Sequence, residues 1–105
     1  MKYHDVIVVG GGLAGLRAAI EVNKHNLKAA VLSKVYVIRS HSIAAQGGIN
    51  ASLGNHPRGS HDSWERHAFD TVKGSDYLAD QDAAVRMAKD GTERIIEMEH
   101  WGCPF

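Results

Sequence analysis

The first apolar stretches of the chain predict a strand, a helix and a second strand. Val6–Val9 is a continuous run of β-branched residues that ends in glycines, the pattern of a strand buried on both faces of a parallel sheet. In residues 13–25 the apolar positions recur every three or four residues, which is typical of an amphipathic helix, and Asn26 favours a left-handed end. Ala29–Leu32 is the second apolar run. The pattern predicts a βαβ unit.

Periodicity is lost in residues 33–59, apart from an apolar and polar alternation in residues 49–53 that predicts a short strand. An irregular segment this long within a compact domain is usually functional. We therefore expect this stretch to carry part of a binding site.

Three helices are predicted in the remainder of the chain. Asp62, with a glutamate three residues later, predicts a capped helix that ends at Gly74. Asp80 begins a second helix that ends near Gly91, and Thr92 caps a third. No repeat, low-complexity tract or linker interrupts the sequence, so we predict no domain boundary within it.

Composition argues against a nucleic-acid-binding protein, a membrane-spanning protein and a disulfide-bonded protein. The 105 residues include twelve Lys and Arg against twelve Asp and Glu, so no basic field is present to bind nucleic acid. No apolar run approaches the roughly 20 residues that span a bilayer. Cys103, the only cysteine, allows no internal disulfide and no cysteine-ligated cluster. The short polar lead before Val6 resembles neither a signal nor a transit peptide, so a cytoplasmic location is expected.

Two groups of side chains are expected to be structural. The histidines at positions 56, 61 and 67 lack the i, i+4 spacing of a helical metal pair, so we predict that they are solvated and that the chain binds no metal. Trp64, Phe69 and Tyr77 are predicted to be packing anchors, because no basic stripe accompanies them.

The sequence GGGLAG follows the first strand and begins the helix, and it carries the dinucleotide-binding pattern G-x-G-x-x-G. Gly10 permits a tight turn, Gly12 allows the backbone to approach a pyrophosphate, and Gly15 allows the helix to pack closely on the strand. An anion there meets free N–H groups at a helix N-terminus. The predicted pyrophosphate-binding residues are Gly10, Gly11, Gly12, Leu13, Ala14 and Gly15.

The residues alone do not identify the dinucleotide. Ser33 occupies the end of the second strand, where an acidic residue usually binds ribose hydroxyls. Lys34 and Arg39 would suit the 2′-phosphate of NADP, because a phosphate attracts cations. A dinucleotide whose ribose hydroxyls bind Ser33 and an NADP whose 2′-phosphate binds the two cations both stay possible at this point.

The segment RSHSIAAQGGIN, residues 39–50, contains a second candidate site. His41 is one of seven histidines and could be an ordinary loop residue. However, the small residues after it allow the main chain to lie flat against a planar ring, and Gln46 offers both a donor and an acceptor. Such groups are how proteins hold a flavin.

This segment closely resembles the part of succinate dehydrogenase and fumarate reductase flavoprotein subunits in which the histidine is bonded covalently to the 8α carbon of FAD. DTVKGSDYLADQDA, residues 70–83, and the final MEHWGCPF resemble the same family in the same order. The resemblance covers essentially the whole chain. It implies an α/β, Rossmann-like fold in which residues 1–105 form the N-terminal part of the FAD-binding domain of a longer subunit, without its capping and C-terminal domains.

The resemblance also implies residue roles. Ser33 and Lys34 would face the adenosine side, and His41 would be the attachment point for FAD. The predicted residues along the isoalloxazine are Ser40, His41, Ser42, Gln46, Gly47 and Gly48. Many relatives carry Pro-Thr where this chain has Val37-Ile38, so the approach to the histidine is less constrained here.

The implied activity is hydride transfer from succinate to covalent FAD, giving fumarate. Electrons would pass to an iron–sulfur protein subunit, which membrane anchor subunits hold at the inner face of the cell membrane. The substrate-binding residues of the family lie beyond residue 105, so no catalytic residue is predicted here. Alternatives are fumarate reductase, L-aspartate oxidase, which resembles the family without the linking histidine, and a noncatalytic nucleotide-binding module.

Overall fold

The computed structural model describes residues 2–45 and 48–105. The chain divides into two compact units, Met1–Gly47 and Gly48–Phe105. No linker composition marks this division in the sequence.

The first unit is built on the predicted βαβ arrangement. Strand β1 (Val6–Val9) leads into helix α1 (Leu13–Lys24), and strand β2 (Ala29–Leu32) follows. The two strands are parallel and hydrogen-bonded to each other. Asn26 ends the helix region with a φ of 57°, as its left-handed tendency predicted. The α/β, Rossmann-like class is therefore confirmed.

Local contacts fix both ends of this strand pair. At its start, the Asp5 backbone N–H donates to the Lys28 carbonyl at 2.9 Å, and the Lys28 N–H donates to the Asp5 carboxylate at 2.7 Å. At its end, the Gly10 N–H donates to the Leu32 carbonyl at 2.8 Å. The last bond places the glycine turn directly at the carboxyl edge of the strands.

Within the unit, only one face of the sheet is covered. Val8 faces α1, whereas Ile7 and Val9 are 66% and 80% exposed on the other face. The expectation that β1 is buried on both faces is wrong for this chain. The alternation arises because successive strand residues point to opposite faces, and α1 packs against one of them.

The segment after β2 contains two short helical turns. A 3₁₀ turn spans Val37–Arg39, and helix α2 spans His41–Ala44. The Ala44 and Ala45 N–H groups donate to the Ser40 and His41 carbonyls. Sequence periodicity could not reveal these turns, because one turn of helix is too short to show a repeat.

The second unit begins with irregular backbone. Among the described residues the two strands β1 and β2 pair only with each other, so the short strand predicted for residues 49–53 is absent. Instead, the Ser52 hydroxyl donates to the Ser63 carbonyl at 3.0 Å. Alternation alone does not make a strand when no neighbouring strand supplies hydrogen bonds.

Helix α3 spans Trp64–Gly74, so it begins one residue later than a helix capped by Asp62 would begin. Its N-cap is Ser63, whose Oγ accepts from the Arg66 N–H at 3.3 Å, so the assignment to Asp62 is wrong. Both residues are good caps, and Ser63 has the extended backbone that the cap position requires. The helix ends at Gly74 as predicted.

Helix α4 (Gln81–His100) is one continuous helix in place of the two predicted. Asp80 is its N-cap and accepts from the Ala83 N–H at 3.1 Å, as expected. The predicted break at Gly91 and the cap at Thr92 are both wrong. Thr92 donates its hydroxyl to the Ser52 carbonyl at 3.2 Å, so its side chain satisfies a loop acceptor within the same unit.

The α3–α4 interface contains the buried apolar side chains of the described residues, namely Ala68, Val72, Ala84 and Ala88. Phe69 and Tyr77 are 56% and 59% exposed, so the prediction that they are packing anchors is wrong. Small residues let the two helices approach closely, which leaves the larger rings at the margin. Across the part of the chain that the structure describes, no helix combines the length and the apolar character needed to cross a bilayer.

Candidate functional site

The glycine turn between β1 and α1 has the backbone shape of a tight phosphate loop. Gly10 has a φ of +116°, a conformation that side chains with a Cβ rarely adopt. A Cβ on Gly15 would collide with the Gly10 carbonyl and would lie 3.3 Å from Val8 Cγ1. The close approach of α1 to β1 therefore requires glycine at position 15.

The end of β2 packs directly against this turn. Gly11 is buried, and a Cβ there would lie 2.9 Å from Ser33 Oγ and 3.1 Å from Val37 Cγ2. Ser33 and the glycine turn therefore lie against each other, and Lys34, the next residue, is exposed. The contact from Val37 is not predictable from the sequence, because nothing in the local pattern around residue 37 indicates that it reaches the glycine turn.

The N-terminus of α1 is linked to the histidine segment. Gly12 occupies the N-cap position and has no side chain to cap the helix. The Leu13 N–H donates instead to Ser42 Oγ at 3.2 Å, 29 positions along the chain. A Cβ on Gly12 would lie 3.2 Å from the same oxygen. Two segments that the sequence identified separately therefore form one site.

The electrostatics of this helix end favour an anion. The first turn of α1 contains no acidic residue, and its backbone N–H groups carry the positive end of the helix dipole. Leu13 and Ala14, whose backbones belong to that turn, are exposed. A phosphate oxygen can reach such a turn without displacing a carboxylate.

Ser40 and His41 differ in environment although they are neighbours. Ser40 is 8% exposed, and its hydroxyl has no hydrogen-bond partner among residues 2–45 and 48–105. A buried hydroxyl without a partner costs about 1–3 kcal/mol. His41 is exposed as the first residue of α2. The segment therefore combines an unsatisfied buried donor with an accessible imidazole, which fits a region that receives a ligand.

Three predicted site residues cannot be added to this arrangement. Gln46 and Gly47 lie outside the described residues. Gly48 is exposed and belongs to the second compact unit. The described site consists of the glycine turn, Ser33, Lys34 and residues 40–42. Within residues 2–45 and 48–105, no group of three or more His, Cys, Asp and Glu side chains is placed to bind a metal ion.

The resemblance implies that Ser42 lies along the isoalloxazine, and in the structure its hydroxyl accepts from the N-terminus of α1. A signal for this contact was present in the sequence. Gly12 cannot cap α1, so the first N–H groups of the helix need a partner from another segment. The sequence could not identify which of the later hydroxyls supplies it.

The chain belongs to the FAD binding domain family, whose profile matches residues 5–105. It is 54% identical over 101 residues to the succinate dehydrogenase flavoprotein subunit of Rickettsia bellii, covering 96% of this chain and 16% of that protein. It is 47% identical over 105 residues to the fumarate reductase flavoprotein subunit of Mycobacterium tuberculosis, covering 97% of this chain and 17% of that one.

A solved structure has the same fold. The Mycobacterium smegmatis Sdh1 complex in the apo form superposes with a TM-score of 0.88 and 36% identity, over 97% of this chain and 17% of the matched chain. The resemblance to succinate dehydrogenase and fumarate reductase flavoprotein subunits is therefore confirmed. The chain spans about a sixth of the length of the curated relatives.

The residues present fit FAD. The glycine turn has no side chains that would exclude a pyrophosphate, and a Cβ at Gly11, Gly12 or Gly15 would meet a neighbouring atom. The α1 N-terminus offers N–H donors without a competing carboxylate. These two features match the requirements of a dinucleotide phosphate site.

Proposed function

We propose that this chain is the N-terminal FAD-binding part of the flavoprotein subunit of a succinate dehydrogenase, with residues 1–105 belonging to one FAD-binding domain. The observation that carries the proposal is the Leu13–Ser42 hydrogen bond. It holds the residue after His41 against the phosphate turn, in a chain that belongs to an FAD-binding family.

In this proposal each described segment has one task. The glycine turn binds the pyrophosphate through backbone N–H groups, while Ser33 and Lys34 face the adenosine. Ser40 and His41 are proposed to lie toward the flavin ring, together with Gln46, Gly47 and Gly48, and Ser42 between that ring and the phosphate turn. The buried Ser40 hydroxyl, which has no partner in the described part of the chain, is available to a polar group of the ligand.

When bound, FAD would supply the redox chemistry as the acceptor of the hydride that succinate loses, and the proton that is lost with it would go to a group outside residues 1–105. The contribution of this chain is to bind and orient the cofactor and to provide the imidazole of His41 for covalent attachment. An electron-withdrawing imidazole on the ring raises its reduction potential, which helps oxidation of an unactivated C–C bond. The catalytic residues that bind the dicarboxylate are proposed to lie outside residues 1–105.

The first test is whether flavin is covalently bound to the full-length flavoprotein. After acid denaturation, we expect the yellow absorbance and the FAD mass increment to stay with a peptide that contains His41. Release of all flavin from freshly purified, active protein would contradict the proposal and favour an enzyme of the L-aspartate oxidase type.

The second test concerns the role of the covalent bond. His41→Ser should retain FAD noncovalently, keep some fumarate reduction and lose succinate oxidation, because the potential of the flavin falls. His61→Ser, a change at an exposed histidine in the second unit, is the matched control and should behave like wild type. Undiminished succinate oxidation by His41→Ser would show that the bond has no such role.

Fumarate reductase is the second candidate, because a flavoprotein of that name is also 47% identical to the chain. The two candidates differ in the preferred direction of the same reaction. The ratio of succinate oxidation to fumarate reduction, measured with the natural quinone pool, distinguishes them. A ratio well above one supports the dehydrogenase.

The proposed partners are an iron–sulfur protein subunit and, through it, membrane anchor subunits at the inner face of the cell membrane. One matched structure is the Mycobacterium smegmatis Sdh1 complex, which supports this assignment. Affinity purification of the tagged flavoprotein from gently solubilised membranes should recover an iron–sulfur protein in equal amount. Recovery of the flavoprotein alone, from the soluble fraction only, would contradict it.

A further inference from the structure

The start of helix α1 is capped by a residue of another segment. Gly12 provides no side chain, so the first N–H groups of the helix lack the usual cap. Ser42 Oγ accepts from the Leu13 N–H and so fills this role. Because Ser42 directly follows His41, the cap ties the histidine segment to the glycine turn.

We propose that Ser42 is a positioning residue that couples occupancy of the pyrophosphate turn to the placement of the His41 segment. The inference rests on the proposed function and deepens it. Ser42 uses an oxygen lone pair for Leu13, so its hydroxyl proton is left to donate elsewhere. The side chain is exposed at a helix end that favours anions. A pyrophosphate oxygen there is a strong acceptor for that proton.

The short helix α2 transmits the effect of Ser42 to His41. Its backbone is closed by hydrogen bonds from Ala44 to Ser40 at 2.9 Å and from Ala45 to His41 at 3.0 Å. Fixing one residue of a single closed turn restricts the backbone of the others. A ligand that strengthens the Ser42 contact therefore orders the turn that carries the imidazole, and the ordered turn in return favours that ligand.

Adenosine diphosphate is the appropriate probe, because it carries the pyrophosphate without the flavin ring. The parent protein is full-length flavoprotein with His41→Ser, from which noncovalent FAD can be removed. We expect ADP to slow hydrogen exchange of backbone amides in residues 40–45. Ser42→Ala should weaken ADP binding about tenfold, as expected for loss of a hydrogen bond to a charged group, and should abolish this protection.

Three further variants distinguish positioning from simple capping. Ser42→Thr keeps the hydroxyl and should bind ADP within about twofold of the parent. Ser42→Asp keeps a good cap for α1, and so a folded protein, but its carboxylate repels the pyrophosphate and should weaken binding by at least about tenfold. Ser60→Ala, at an exposed serine in the second unit, is the matched control and should change neither measurement.

The coupling is overturned if Ser42→Ala binds ADP and protects residues 40–45 as the parent does. It is equally overturned if Ser42→Asp binds ADP as tightly as the parent, since no anion then lies beside this residue. Either result can coexist with covalent flavin on wild-type His41, in which case the proposed function stands and only the role of Ser42 fails.

Discussion

At the scale of single residues, the glycine turn shows why a side chain is excluded at particular positions. Gly10 is constrained by its positive φ, whereas Gly15 is constrained by space, since a Cβ there meets the Gly10 carbonyl and Val8. Glycine is thus required at positions 10 and 15 for different physical reasons. Only the second reason depends on how the helix packs.

Gly15→Ala is therefore expected to push α1 away from β1, to lower the free energy of unfolding by about 1–3 kcal/mol and to reduce bound FAD. Gly74→Ala is the matched control, since no atom of the described residues outside its own helix turn lies within 4 Å of its Cβ position and alanine favours helix. Chemical denaturation and flavin content of both variants check this. Equal stability of the two would contradict the packing argument.

A second residue-scale feature lies on the solvent side of α1. The Arg17 guanidinium, which donates to Glu21 at 2.8 Å, lowers the pKa of that carboxyl from its ordinary value of 4.5. A lowered folded-state pKa means that the interaction stabilises fully above about pH 4.5 and is lost as the pH falls through the lower value. The side chains are solvent-exposed, so the effect is small.

Glu21→Gln should consequently lower the melting temperature slightly at pH 7 and approach wild type as the pH falls below about 4.5, so that its melting temperature depends less on pH in that range. Arg17→Gln should change the melting temperature in the same direction but by less, because Glu21 also pairs with Lys24 at 3.7 Å and with His25 at 3.6 Å. The double variant should lose less than the sum of the two single variants, since both changes remove the Arg17–Glu21 contact. The melting curves are measured from pH 3 to pH 7. Additive losses in the double variant would show that the two side chains act independently.

At the scale of elements, α4 shows how a tertiary contact overrides a local signal. Glycine followed by threonine is a common boundary between helices, yet the helix runs through both residues. Thr92 donates to the Ser52 carbonyl, and a Cβ on Gly91 would lie 4.0 Å from Ala51 Cβ, which is ordinary contact. The residues that suggested a boundary therefore mark where a loop packs on the helix.

Gly91→Ala should accordingly stabilise the protein by about 0.5–1 kcal/mol, because alanine restricts the unfolded chain and favours helix without a clash. Gly102→Ala, at a φ of +94°, should destabilise by about 1 kcal/mol. Denaturation midpoints of the two variants should move in opposite directions. A loss of stability in Gly91→Ala would argue for a helix break at this position.

At the scale of the whole molecule, the first unit leaves one sheet face open. Ile7, Val9 and Leu32 are 66%, 80% and 63% exposed. Parallel sheets are normally covered on both faces, because their strands are apolar on both. Under the proposed function, the remainder of the flavoprotein covers this face, in keeping with relatives about six times longer than the chain.

Val9→Ser in the full-length flavoprotein should therefore cost about 1–3 kcal/mol of stability, although the side chain is mostly exposed in this chain. Leu78→Ser, at an 88% exposed position in the turn before α4, serves as the comparison and should change stability by less than about 0.5 kcal/mol. Equal effects of the two substitutions would mean that the sheet face stays open.

The sequence by itself determined the features that depend on neighbours along the chain. The run of β-branched residues in Val6–Val9, the three-to-four spacing in α1 and the cap at Asp80 each express local backbone preferences, so their structures could be predicted. The glycine turn was equally predictable, because its chemistry lies within six consecutive residues. The family resemblance gave candidate roles for the segment around His41.

The tertiary structure alone decided the features in which distant groups compete for the same partner. Which hydroxyl caps α1 depends on the path that brings Ser42 to Leu13 across 29 positions. Whether Thr92 caps a helix or binds a loop depends on where Ser52 lies. Hydrogen-bond partners and packing faces are chosen by proximity in space, which hydrophobic periodicity along the chain does not encode.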